Sequence, residues 1–131
     1  MEKKDIQNLG DIKLLVDEFY GKVRKDDVIG VVFERHIQDR WPEHLEKMYA
    51  FWQTLLLEKK TYNGKPFPPH ALLPISEVHF NRWLDLFQET TKKLFKGEKA
   101  DEAVWRARKM AALFQHKLEY IRNNPDKPLL M

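Results

Sequence analysis

The feature that most constrains this chain is the spacing of its apolar residues, which step by three and four through nearly every segment and nowhere alternate as a strand would. From Asp11 to Val23 the residues Ile12, Leu15, Val16, Phe19, Tyr20 and Val23 make one stripe, while Lys13, Asp17 and Lys22 fall opposite, so the spacing predicts an amphipathic helix with Asp11 as its cap. Val28 to Phe33, interrupted by Gly30, reads as a short helix or helical corner, because no partner strand exists elsewhere. A second long helix opens at Trp41-Pro42 and carries His44, Leu45, Met48, Tyr49, Trp52, Leu55 and Leu56, with Glu43 complementing the positive end of the dipole. Ser76 is placed to cap a third, with Phe80, Trp83, Leu84, Phe87, Leu94 and Phe95, which Gly97 is expected to end. The last begins near Asp101 and runs through Val104, Ala107, Ala111, Phe114, Leu118 and Ile121 until Asn124-Pro125 stops it. The expected fold is all-α, four substantial helices plus short pieces, in one domain spanning residues 1–131.

One stretch resists this pattern. Between Glu58 and Pro69, Asn63-Gly64 and three prolines break the periodicity and make a loop, and directly after it stands His70, in Pro68-Pro-His-Ala-Leu-Leu-Pro74. No carboxylate or second histidine lies beside it. A proline-framed, apolar segment presents a single imidazole nitrogen without letting the ring wander. Zinc would want about three or four protein ligands, whereas a haem brings four nitrogens of its own and needs one axial histidine.

Composition narrows the partners. At 131 residues the chain can bury one core and one ligand but has no room for a flavin or nucleotide domain, so any electron donor must be a separate molecule. Four Trp, four Tyr and eight Phe supply flat surfaces for sandwiching a planar ligand. The net charge of +3 arises from Lys and Arg interleaved with Asp and Glu, not from a basic stripe, which argues against nucleic acid. With no cysteine, disulfides, iron-sulfur ligation and thiol chemistry are excluded, and a reducing cytoplasm is the expected location. No signal core and no run of about 18 apolar residues is present, so no membrane association is expected.

Several residues together carry a more specific likeness: Phe19-Tyr20, Phe33, Trp41-Pro-Glu-His44, Pro69-His70 with Leu73-Pro74, and Phe80-Asn-Arg-Trp-Leu-Asp-Leu-Phe87. In that order and spacing the chain resembles the truncated haemoglobins, specifically their third group, over nearly its whole length. The paired glycines common in the other two groups are missing, as is a long extra helix. The resemblance implies a truncated globin, a two-over-two helical sandwich enclosing haem b (iron protoporphyrin IX), with His70 as the proximal iron ligand. It implies that Tyr20, His44 and Trp83 line the distal side, that Phe33 and Leu73 pack on the porphyrin, and that Met48 forms part of the distal wall. The connection from His70 to Phe80 is slightly shorter than the family pattern, which leaves the role of His79 open.

The implied function is binding of dioxygen, carbon monoxide, nitric oxide or other diatomic ligands at a five-coordinate or weakly six-coordinate iron with a polar distal pocket. Dioxygen on ferrous haem has partial superoxide character, so Tyr20 is the best candidate donor and Trp83 can donate only through its indole nitrogen. His44, one turn before Met48, is placed either to reach the ligand or to swing out as a gate. Each has a plainer role: Tyr20 and Trp83 as core residues, His44 as a solvent-facing histidine at a helix start. His36 and His116, among charged neighbours, are expected to be solvated, and Lys60, Lys65 and Arg82 are the cations available to haem propionates. A strong peroxidase draws electron push from a carboxylate on its proximal imidazole, but the nearest acidic residues to His70 are Glu58 and Glu77, so ligand binding ranks above peroxidase chemistry. Two alternatives stand beside it: a redox enzyme, nitric oxide dioxygenase or peroxidase-like, served by an external reductase, and a haem-free helical interaction module.

Overall fold

The computed structural model describes residues 2–62 and 75–124, and the helices within them follow the apolar stripes. They are α1 (Leu9–Lys25), α2 (Gly30–Ile37), α3 (Trp41–Leu57), α4 (Glu77–Leu94) and α5 (Glu98–Asn123), and the described residues contain no strand. α1 pairs with α3 and α4 with α5, the pairs cross through α1 against α4 and α3 against α5, and α2 rides on α1. The result is a two-over-two sandwich. Its centre holds Ile12, Leu15, Val16, Phe19 and Val23 of α1, Leu56 of α3 and Phe87 of α4. From α5 come Ala100, Ala103 and Ala107, whose small side chains let the neighbouring helices approach closely.

Two helix starts differ from expectation, and both for the same physical reason: caps arrive from outside the stripe. α1 begins at Leu9, not Asp11, because the Asn8 side chain accepts from the Asp11 amide at 3.0 Å. Asp11 itself accepts from the Gln7 amide at 2.9 Å and pairs with Lys4 at 3.1 Å. α4 stops at Leu94 with Phe95 extended, so Gly97 does not end it; Gly97 opens α5, which starts at Glu98 rather than near Asp101. The Asp5 carboxylate accepts from the Lys99 and Ala100 amides, both at 2.9 Å, and so caps α5 from the far end of the chain. Gly97 sits at φ +142°, and a Cβ there would meet Asp5 Cγ at 2.5 Å, so glycine is required twice over.

The α1–α2 corner positions the residues discussed below. Gly30 lets α2 lie directly on the end of α1, where an added Cβ would stand 3.0 Å from the Val23 carbonyl oxygen and 3.1 Å from that of Arg24. Asp26, its side chain 5% exposed, accepts from the Val28 amide at 3.0 Å, the Ile29 amide at 3.1 Å and Arg82 Nε at 2.6 Å. Burial alone would raise its pKa, yet these bonds outweigh burial and hold the carboxyl below its usual range. A depressed folded pKa adds stability that is present above the unfolded value of about 3.9 and lost as pH falls through the folded one. Asp26→Asn should therefore cost about 1–2 kcal/mol at pH 7, and urea unfolding should show the difference from wild type closing below about pH 4.

Candidate functional site

α1 turns Phe19 and Tyr20, consecutive residues, to adjoining parts of the interior. The Tyr20 ring meets three rings of α2 and α3 edge-on: His44 at 5.1 Å between centroids, Trp41 at 5.8 Å and Phe33 at 5.9 Å. Trp41 and His44, one turn apart on the first turns of α3, also touch at 5.7 Å, and Phe33 of α2 stacks on Trp41 at 6.5 Å. Burial pushes the Tyr20 phenol far above its ordinary pKa, so the hydroxyl keeps its proton at any physiological pH and remains a donor.

Phe19 carries the cluster inward, T-shaped to Tyr20 at 4.9 Å, to Trp83 at 5.5 Å and to Phe87 at 5.2 Å. Trp83 lies parallel to Phe87 at 5.6 Å and, among the described residues, joins the Tyr20 group through Phe19 rather than by a ring contact of its own. Phe33, His44, Met48 and Trp83 are half-buried, each keeping part of its surface uncovered beside fully buried neighbours. The structure thus brings Tyr20, His44 and Phe33 into one group, with Trp83 one ring away and Met48 packed on the same core. His70, Leu73 and Lys65 lie outside the described residues.

Three side chains acquire roles that the stripe did not announce. Trp41, 5% exposed, is a wall of the Tyr20 group, although the apolar spacing marked it as a helix start and the family likeness, which includes it, implied no role for it. The hint available was its spacing of three from His44, which sets both on one face. His79 accepts from the Ser76 amide through Nδ1 at 3.0 Å, completing a capping box at the start of α4 with histidine where Glu or Gln is usual. Arg82 is engaged by Asp26, and Lys60 is exposed.

The sequence pattern of the family described as bacterial-like globin matches residues 7–118. The chain belongs to the bacterial-like globins. Within them it is a truncated haemoglobin of the third group. It is 36% identical over 115 residues to the group 3 truncated hemoglobin ctb of Campylobacter jejuni, an alignment covering 85% of this chain and 91% of that one. The crystal structure of the group III truncated hemoglobin from Campylobacter jejuni superposes with a TM-score of 0.82 at 35% identity, covering 89% of this globin and 95% of the other. Globin membership implies a haem cofactor. Among the described residues of this globin, no helix is long and apolar enough to cross a membrane.

Proposed function

We propose that this globin, as one domain over residues 1–131, holds haem b through His70 and binds dioxygen, carbon monoxide or nitric oxide in the space bordered by Tyr20, His44 and Trp83. The observation that carries the reading is Tyr20: a buried phenol, kept protonated, set among the rings of His44, Trp41 and Phe33. The residues suit a porphyrin, because Phe33, Met48 and Trp83 offer half-covered apolar surface around a small number of polar groups, the usual make-up of a cofactor site. Arg82, held by Asp26, is a weaker candidate for a propionate partner than Lys60 or Lys65. The absence of cysteine fits a cytoplasmic setting.

A bound haem supplies one iron position open to a diatomic ligand. What the chain adds is a hydrogen-bond donor that needs no reorganisation, since packing on three sides already fixes the Tyr20 ring. A charge-assisted bond from a phenol is worth about 1.5–3 kcal/mol, which lengthens ligand residence. Such a site suits sensing or scavenging better than transport. Tyr20→Phe should speed dioxygen dissociation by about tenfold or more, the equivalent of roughly 1.4 kcal/mol. Stopped-flow displacement by carbon monoxide measures this directly, and an unchanged rate would take the donor role from Tyr20.

A further inference from the structure

We propose that Trp41 is the door of the Tyr20 pocket and that the Arg24–Glu34 ion pair is its latch. The inference rests on the reading of that pocket as the ligand site. Trp41 stands between a buried group and the surface: its indole touches Tyr20 and His44 at 5.8 and 5.7 Å, while the Arg24 guanidinium lies over the same ring system at 4.5 Å. Arg24 is in turn fixed by Glu34, Nε to Oε1 at 2.7 Å, with 47% of the arginine side chain and 42% of the glutamate exposed.

The three residues come from three helices, the last turn of α1, the middle of α2 and the first turn of α3. The first turn of a helix is the part that opens most easily, and the α3 N-cap, Arg40, makes no side-chain capping bond, so the position of Trp41 depends on what lies against it. Phe33 stacks on one side and Arg24 provides a cation over the ring. Glu34 is held below the usual carboxylate range chiefly by its bond to Arg24, the guanidinium that lies over the Trp41 ring. The contact is strong enough to bias the door and, being exposed, weak enough to yield to salt. The Arg24–Glu34 pair is a positioning device, acting on the Tyr20 group through the Trp41 ring.

Two readouts on the 131-residue chain as isolated test this. The first is hydrogen exchange of the Trp41 indole N–H by nitrogen-15 NMR, assigned with Trp41→Phe; the second is carbon monoxide recombination after flash photolysis. Glu34→Gln and Arg24→Met should each accelerate indole exchange and raise the association rate by about threefold, within the range an exposed ion pair controls. Wild-type association should rise by a similar factor as salt screens the pair, and both variants should lose that salt dependence. Glu89→Gln, which breaks the comparable Lys22–Glu89 surface pair at 3.3 Å, should change neither readout. Unchanged exchange in both variants would overturn the latch, and faster exchange with unchanged association would overturn the door. If the chain carries no pigment, the proposed function fails separately, while indole exchange still upholds or overturns the latch.

Discussion

His70→Gly yields a protein without a Soret band, and free imidazole added to it during haem loading brings the band back. The expectation follows from ligand counting. An iron porphyrin already has four in-plane nitrogens and takes one more strong ligand from the protein, and the only histidine of this chain framed by prolines and apolar residues is His70. The other histidines have different occupations. His44 belongs to the Tyr20 group, His79 is spent in the cap of α4, and His36 and His116 are exposed. His79→Gln, which keeps a side-chain acceptor for the Ser76 amide, should therefore leave the spectrum intact. Spectra of the ferric, ferrous and carbon monoxide forms are the measurement. Full pigment in His70→Gly without imidazole would assign the iron to another side chain.

Phe87→Ala should lower the unfolding free energy by about 3–5 kcal/mol. Phe87 is fully buried and joins both layers, stacked on Trp52 of α3 at 4.9 Å and on Trp83 of α4 at 5.6 Å, and T-shaped to Phe19 of α1 at 5.2 Å. Removing the ring opens a hole bounded by three aromatic rings, bulky groups that collapse poorly into it, which puts the cost at the upper end for such a deletion. Against a total of about 5–15 kcal/mol, that is a large share of the stability of a domain this size. The check is a fall in the urea midpoint at constant slope. Trp105→Ala, with an indole 55% exposed, should shift the midpoint far less, and equal shifts would mean that Phe87 is not the centre of the core.

Much of this architecture was legible in the amino-acid order, because burial has the helical period. Ile12, Leu15, Val16, Phe19, Tyr20 and Val23, picked out by spacing alone, are all buried in α1, and Ala107, Ala111, Phe114 and Leu118 are all buried in α5. Gly30 marked a corner, and the short apolar segment there is a helix against the end of α1. What spacing could not show depends on residues distant in the chain. Gly97 looks like a terminator until Asp5 is found beside it, and Trp41 looks like a helix start until α1 and α2 close around it. The candidate site shows the same division. Tyr20, His44 and Phe33 were legible through their likeness to the truncated haemoglobins and do come together, whereas the Arg24–Glu34 pair consists of ordinary surface charges whose meaning is wholly tertiary.

The Asp5 carboxylate that accepts from the Lys99 and Ala100 amides spans separations of 94 and 95 residues. During synthesis Asp5 leaves the ribosome long before its partners exist, and at about 5–20 residues per second it waits on the order of 5–20 s for them. Until then the Asp5 carboxylate has neither amide to accept from, and α4 lacks its layer mate. The growing chain thus passes through a stage with its aromatic centre half covered, and a chaperone that holds exposed rings would find its client in that interval.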